Sequence, residues 1–301
     1  MKLRASYWTW KIINGQLSAE RMPTAYLMLD GKCVYDCAYC THARNSSSDE
    51  RFLSRILWKE IDSSGLSKLI AFKRVCIQVV NYARAHEDAI SLIGLLNKTF
   101  ASLTRDYKPL ISVSTRISNL QQVDEYFSAG ADNLGIALDV VAPRLYSHLR
   151  NGNFQNTVGL LIEASKKYPG RITTHIIVGL GETDIQIFDI FKLMKQHQVQ
   201  IALFAFTPVK GTKLQNHPIP SLERYRKVQL LRFLIFELDL EPNVTFDNNG
   251  YIADIKVPEE LLEITKKAYL TSGCSFCTRP YYNDKPTNAQ LFNLFDETLA
   301  H

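Results

Sequence analysis

No apolar run in the 301 residues reaches the roughly 18 that a membrane-spanning helix requires. A membrane partner is therefore not expected. The segment from Met1 to Trp10 lacks the continuous apolar core of a signal peptide. Cysteine is scarce. Six in a chain of this length do not make the disulfide framework of a small secreted domain, and a cytoplasmic, reducing compartment is the expectation. Neither sign of charge dominates. The net +5 is mild, compatible with an acidic partner, and not the signature of a nucleic-acid binder. Internal repeats, low-complexity tracts and flexible linkers are also missing. What remains is 46% hydrophobic, ordinary for a packed chain, and long enough for one large α/β domain with a small extension.

Three of the six cysteines stand together in Cys33-Val-Tyr-Asp-Cys37-Ala-Tyr-Cys40. A C-x3-C-x2-C run puts three soft thiolates on one short loop, which suits an iron–sulfur cluster. Three thiolates leave one iron of a [4Fe–4S] cube without a protein ligand, and an open metal position is a reaction site. The competing reading is a zinc site completed by His42.

Strands and helices alternate around this loop. Short apolar runs closed by turn or polar residues predict strands at Thr24–Leu29, Arg74–Val80, Ile111–Ser114, Asn133–Leu138, Arg171–Val178 and Ile201–Phe206. Amphipathic stretches from Asp88 to Phe100 and Thr183 to Gln196 predict helices between them. Such alternation argues for a parallel sheet with right-handed crossovers. Six βα units make an α/β fold, an open, partial (βα)6 TIM barrel whose chemistry gathers at the carboxyl ends of the strands. From about Pro220 the pattern changes. A helix is expected from Ser221 to Leu240, a hairpin from Val244 to Ile255, a short helix from Pro258 to Ala268 and a last helix from Asn288 to Leu299. The expected division is thus residues 1–219, the barrel with an N-terminal extension, and 220–301, a C-terminal extension.

The cysteine motif, with Tyr39 as the aromatic before Cys40, resembles the signature of radical S-adenosylmethionine (SAM) enzymes. The resemblance implies a [4Fe–4S] cluster on Cys33, Cys37 and Cys40, SAM bound to its open iron, and an electron donor such as ferredoxin or flavodoxin. It implies that Tyr39 packs beside the cluster. Ile177-Val-Gly-Leu-Gly-Glu182 is similar to the segment that supports the SAM adenine in this family, which assigns Gly179 and Glu182 to the pocket. An ordinary strand-to-helix turn reads equally well. Asp139 closes the fourth strand where the family binds the SAM ribose, and equally suits a helix N-cap. Arg116, Arg144 and Arg150 lie just beyond strands three and four, where one could pair with the SAM carboxylate. Each alone also reads as a surface arginine.

Arg74-Val-Cys76 resembles the segment of biotin synthase whose strand cysteine ligates an auxiliary cluster. The likeness spans roughly residues 24 to 215. Further biotin synthase cysteines on strands three and five are replaced here by Ser112 and Thr173. Cys274-Ser-Phe-Cys277 in the tail supplies a C-x2-C pair instead, which otherwise reads as a stray thiol pair or half of a zinc site. The tail resembles that of the biotin-synthase-related component of split, two-protein lipoyl synthases. The C-x4-C-x5-C auxiliary motif of the single-chain form is absent. The resemblance implies an auxiliary iron–sulfur cluster, expected as [4Fe–4S], on Cys76, Cys274 and Cys277. Ser112, Ser272, Ser275 and Arg279 are candidates for a fourth ligand. It implies a lipoyl-synthase-type sulfurtransferase in lipoate biosynthesis, acting on an octanoylated lipoyl carrier protein with a second lipoyl synthase component. The alternatives are a biotin-synthase-like enzyme acting on a free small molecule and another two-cluster radical SAM enzyme.

Overall fold

A computed structural model describes residues 1–279 apart from 21 and 105. The helix expected from Asn288 to Leu299 lies outside the described residues. The chain divides into two compact units, one of residues 1–137, 148–151 and 207–217, the other of residues 138–147, 152–206 and 218–301.

In the first unit the central strand is β2, Thr24–Asp30, reached after β1, Lys2–Ser6, and α1, Tyr7–Ile13. All seven residues of β2 are buried, as a strand covered on both faces demands. Beyond the cysteine loop come β3, Phe52–Leu53, and β4, Ile56–Glu60, then β5, Arg74–Val79, α2, Ala85–Leu103, β6, Leu110–Thr115, α3, Leu120–Ser128, and β7, Asn133–Ile136. Strands β2, β5, β6 and β7 run parallel in that order. Tyr26, Cys76, Ser112 and Asn133 are successive register partners across it. Helix α2 buries Ala89, Leu92, Ile93, Leu96 and Phe100, one face of a 3.6-residue period.

Sequence patterning missed the N-terminal strands. β1 pairs antiparallel with β2 on one side and β4 on the other, covering a sheet edge. Its Arg4 is buried and donates from Nε to Asp30 Oδ2 at 2.6 Å, so a charged residue sits inside a strand that polarity alone marks as surface. Trp58 of β4 packs with Met22, Tyr26, Met28, Val80 and Cys76, with Trp8 and Ile12 of α1 and Cys33 at the rim.

The second unit carries β8, Ile172–Val178, parallel to β9, Gln200–Ala205. Helix α4, Pro143–Arg150, ends in the first unit, and α5, Phe154–Lys167, precedes β8. Between the strands, α6, Asp184–Gln196, starts at a capping box of Thr183 and Gln186. Helix α7, Leu222–Phe236, buries Val228, Leu231, Phe233, Leu234 and Ile235 around much of its girth. It covers β9, where Arg232 Nε donates to Ile201 O at 2.6 Å. β10, Asn243–Phe246, and β11, Ile252–Lys256, form the expected hairpin. Its turn closes on Asp247, whose Oδ1 accepts from the N–H of Asn249 and Tyr251.

The helix expected from Pro258 to Ala268 is instead two 3-10 turns, Glu259–Leu261 and Ile264–Tyr269. Neither has a side-chain cap. The buried residues of the second turn, Thr265 and Ala268, are three apart, the period that a 3-10 turn places on one face.

Candidate metal centre

The cysteine loop leaves the carboxyl end of β2 and is braced by the same ends of its neighbours. Val34 N donates to Asn81 O just after β5, at 2.8 Å. Arg116, at the end of β6, stacks its guanidinium over the Tyr35 ring, 3.9 Å from the centroid. Three hydrogen bonds tie the loop to residues 149–151. Ala38 N donates to Leu149 O, Asp36 N to Asn151 Oδ1, and the Cys37 thiol to Arg150 O. Lys213 donates to Asp36 Oδ2 at 2.5 Å, and Leu214 N to Ala38 O at 3.1 Å. Downstream, Ser47 N and Ser46 Oγ donate to Gly211 O, and Ser48 Oγ donates to Lys210 O. Gly211 has φ +87°, and a Cβ there would lie 2.6 Å from Ser48 N.

None of the six cysteines is in a disulfide. Cys37 is buried, and Cys33 and Cys40 are half-buried. Burial pushes the Cys33 thiol up, and the neighbouring Cys37 adds to this. A thiol that resists ionisation alone is stabilised as a thiolate by a metal. Three thiols on one braced loop, with the Arg150 guanidinium 3.4 Å from Cys37 Sγ, are a donor set suited to an anionic cluster. Among the described residues no three His, Cys, Asp or Glu side chains meet at the spacing of a single metal ion. Each thiolate of a cube binds its own iron, so a cluster does not call for that spacing. His42, the residue that completes the zinc reading, turns Nδ1 toward Asp30 Oδ1 at 3.8 Å. Burial holds its imidazole below the ordinary range.

Two of the arginines that follow strands three and four are engaged with this loop. Arg150 is buried, bonded to Cys37 Sγ and to Ala137 O, and Arg116 donates to Arg150 O and Asn151 O. Tyr39 is half-buried on the loop. Cys76 is buried in β5 and accepts from Gln78 Nε2 at 3.0 Å. Its register partner Ser112 has a buried Oγ with no hydrogen-bond partner among the described residues.

In the second unit, Asp139 adopts φ +60° and forms an isolated bridge to Ile176. Asp139 N donates to His175 O, and Ile177 N to Asp139 O. Gly179 and Gly181, at φ +103° and +101°, form the turn after β8. Glu182 organises that turn. Its Oε1 and Oε2 accept from Gly179 N and Leu180 N, both at 2.8 Å. Arg224 completes the set at 2.8 Å from Glu182 Oε1 and 2.8 Å from Asp184 Oδ1. No local pattern marks Arg224 for this role, since its partners lie about forty residues upstream.

Cys274 and Cys277 share one tight turn, closed by Cys277 N donating to Cys274 O at 3.1 Å, with Gly273 and Phe276 in left-handed conformations. The turn is pinned to β8 and β9. Ser272 Oγ accepts from Leu203 N at 3.0 Å, and Arg279 lies 3.0 Å from His175 Nε2 and over the Phe204 ring.

The six parallel βα strands, the cysteine loop after the first and the tight glycine turn after the fifth define an α/β protein of the partial-barrel class. No protein-family model matches the sequence. The chain is similar to the GTP 3',8-cyclase of Limosilactobacillus fermentum, 26% identical over 170 residues covering 53% of this chain and 48% of that one. It is similar to the lipoyl synthase of Koribacter versatilis, 23% identical over 182 residues covering 58% of this chain and 57% of that one. In fold it matches the FeFe-hydrogenase maturase HydG of Carboxydothermus hydrogenoformans, with a TM-score of 0.54 at 13% identity, over 86% of this chain and 60% of that one. The chain spans about half the length of the curated relatives it matches. Its sequence relatives and fold neighbours are radical SAM proteins, and it has the expected partial-barrel fold. That similarity implies a [4Fe–4S] cluster and SAM. Among the described residues no helix is long and apolar enough to cross a membrane.

Proposed function

We propose that the chain is a radical SAM sulfur-inserting enzyme, one component of a two-protein lipoyl synthase acting on a protein-bound octanoyl chain. The observation that carries this reading is the tail turn. Two cysteines are presented together and anchored through Ser272 and Arg279, a construction that a stray thiol pair does not require. Sequence similarity to lipoyl synthase supports it.

When bound, the SAM cluster would supply the electron that cleaves SAM to methionine and a 5′-deoxyadenosyl radical, which abstracts hydrogen, and the auxiliary cluster would supply sulfide. Cys33, Cys37 and Cys40 hold the first. Cys274 and Cys277 hold the second, and the likeness of Arg74-Val-Cys76 to biotin synthase assigns Cys76 to it on sequence grounds. Gly179 and Glu182 shape the turn that receives SAM, and Asp139 offers a carboxylate to its ribose. The partners are the second lipoyl synthase component, the octanoylated carrier, and ferredoxin or flavodoxin as electron source.

The substrate preference follows from hydrogen bonding. Ala137 stands where biotin synthase, by alignment, carries an asparagine. A ureido ring entering without that amide leaves buried polar groups unsatisfied, at about 1–3 kcal/mol each. An octanoyl chain needs no such partner and gains about 0.8 kcal/mol per buried methylene. The test compares an octanoyl-lysyl peptide with desthiobiotin, with the partner protein present, and measures 5′-deoxyadenosine and thiolated product from each. Thiolation of the octanoyl peptide alone is expected. Biotin formation with no product from the peptide would replace this reading with the small-molecule alternative.

A further inference from the structure

The Cys37 side chain meets one residue in two ways. Its thiol donates to Arg150 O at 3.3 Å, and Arg150 Nη1 donates to its sulfur at 3.4 Å. These bonds suit different states. A ligating thiolate has no S–H, so the first is lost on metal binding. The second becomes charge-assisted and strengthens. Arg150 O is not orphaned by the change, because Arg116 Nη1 also donates to it, at 2.9 Å. The arginine is 5% exposed, and Nη2 is fixed on Ala137 O at 3.1 Å. A buried cation held on both sides is therefore aimed at one cluster ligand.

We propose that Arg150 is a positioning residue that raises the reduction potential of the SAM cluster through its N–H···S bond to Cys37. Reduction adds negative charge to the cluster. Hydrogen bonds to its sulfurs and nearby positive charge set the potential at which the electron is accepted. The SAM cluster must be reduced before SAM is cleaved, so this residue acts on the first step without touching substrate. The proposal rests on the assignment of Cys33, Cys37 and Cys40 as ligands, and Cys37→Ala tests that separately. If Cys37→Ala retains a full complement of this cluster, the ligand assignment fails, whatever Arg150 does.

The experiment is an anaerobic redox titration followed by electron paramagnetic resonance. It is carried out in the full chain carrying Cys274→Ala and Cys277→Ala, so that the signal reports the SAM cluster. Iron content and spin count establish loading in each variant. Arg150→Met should disfavour reduction about tenfold, a fall of about 59 mV for one electron. Arg150→Gln, which keeps an N–H donor without the charge, should shift less in the same direction, and Arg150→Lys least. Where the methionine variant does not load, the glutamine variant decides. A lowered potential supports the proposal. Loaded glutamine and methionine variants at the wild-type potential overturn it, as does failure of all three variants, lysine included, to hold a cluster. That last outcome makes Arg150 a residue of the fold alone.

Discussion

The carboxylate of Glu182 and the guanidinium of Arg224 meet at 2.8 Å, with Glu182 1% and Arg224 18% exposed. The arginine reaches from α7 to hold two carboxylates, Glu182 and Asp184, at the start of α6. Both acids also accept from backbone N–H groups, Glu182 from Gly179 and Leu180, and Asp184 from Ile252. The glycine turn, the helix and the hairpin of the second unit therefore share one charged centre.

Removing the cation should leave two buried carboxylates uncompensated. Arg224→Met is expected to cost about 3–5 kcal/mol of stability. Urea unfolding measures it, and a loss under 0.5 kcal/mol would show that the centre contributes little.

Gly211→Ala should destabilise the first unit by about 1–3 kcal/mol, because φ is positive and the added Cβ meets backbone. The contacts are Ser48 N at 2.6 Å and Ser47 C at 2.8 Å, which no side-chain rotation relieves. Gly211→Asn tolerates the left-handed conformation better but keeps the Cβ. It should still be destabilised, and a neutral result would trace the effect to φ alone.

A pH dependence follows from Asp36. The Lys213 hydrogen bond, opposed by a smaller effect of burial and helped by Asn45, holds its carboxyl below the ordinary value. The unfolded group titrates near 3.9, about the usual aspartate value. The stabilisation is therefore fully present above that pH and is lost as pH falls through the lower, folded value. Asp36→Asn should melt earlier than its parent at pH 7, and the gap should close on acidification below about pH 4. The comparison belongs in the Cys33→Ala, Cys37→Ala, Cys40→Ala background, where acid loss of a cluster plays no part. A gap that stays constant with pH would rule out the linkage.

The two cysteine groups should separate radical generation from sulfur transfer. On the proposed function, Cys277→Ala is expected to keep reductive SAM cleavage and lose thiolated product, because the proposed ligands of the SAM cluster, Cys33, Cys37 and Cys40, lie on a separate loop. The readouts are 5′-deoxyadenosine and product mass. Loss of SAM cleavage with the first cluster demonstrably intact would put the tail in the SAM site instead.

The parallel strands were legible because each is a short apolar run ending at a turn, and all six expected strands are present as β2 and β5 to β9. The helix beginning at Thr183 and the hairpin turning at Asp247 were legible for the same local reason. Strand β1 was not. Lys2 and Arg4 read as surface residues, and only Asp30, Glu50 and Glu60, far along the chain, make a place for them. The cysteine motif was picked out by residue type and spacing. Its brace of Arg116, Arg150 and Lys213 did not, because a guanidinium after a strand looks alike whether it faces solvent or a sulfur. Glu182 was placed near SAM from its motif, and the bonds that make it the organiser of its own turn appear only in three dimensions.

The salt bridge between Asp36 and Lys213 joins residues 177 positions apart. During synthesis at about 5–20 residues per second, the cysteine motif leaves the ribosome on the order of 10–35 seconds before its lysine does. Through that interval the three thiols sit on a loop without its final support, exposed to oxidation and to wrong metals. The brace of the cysteine loop is therefore ordered in time, and its last part is in place only once residue 213 has been made.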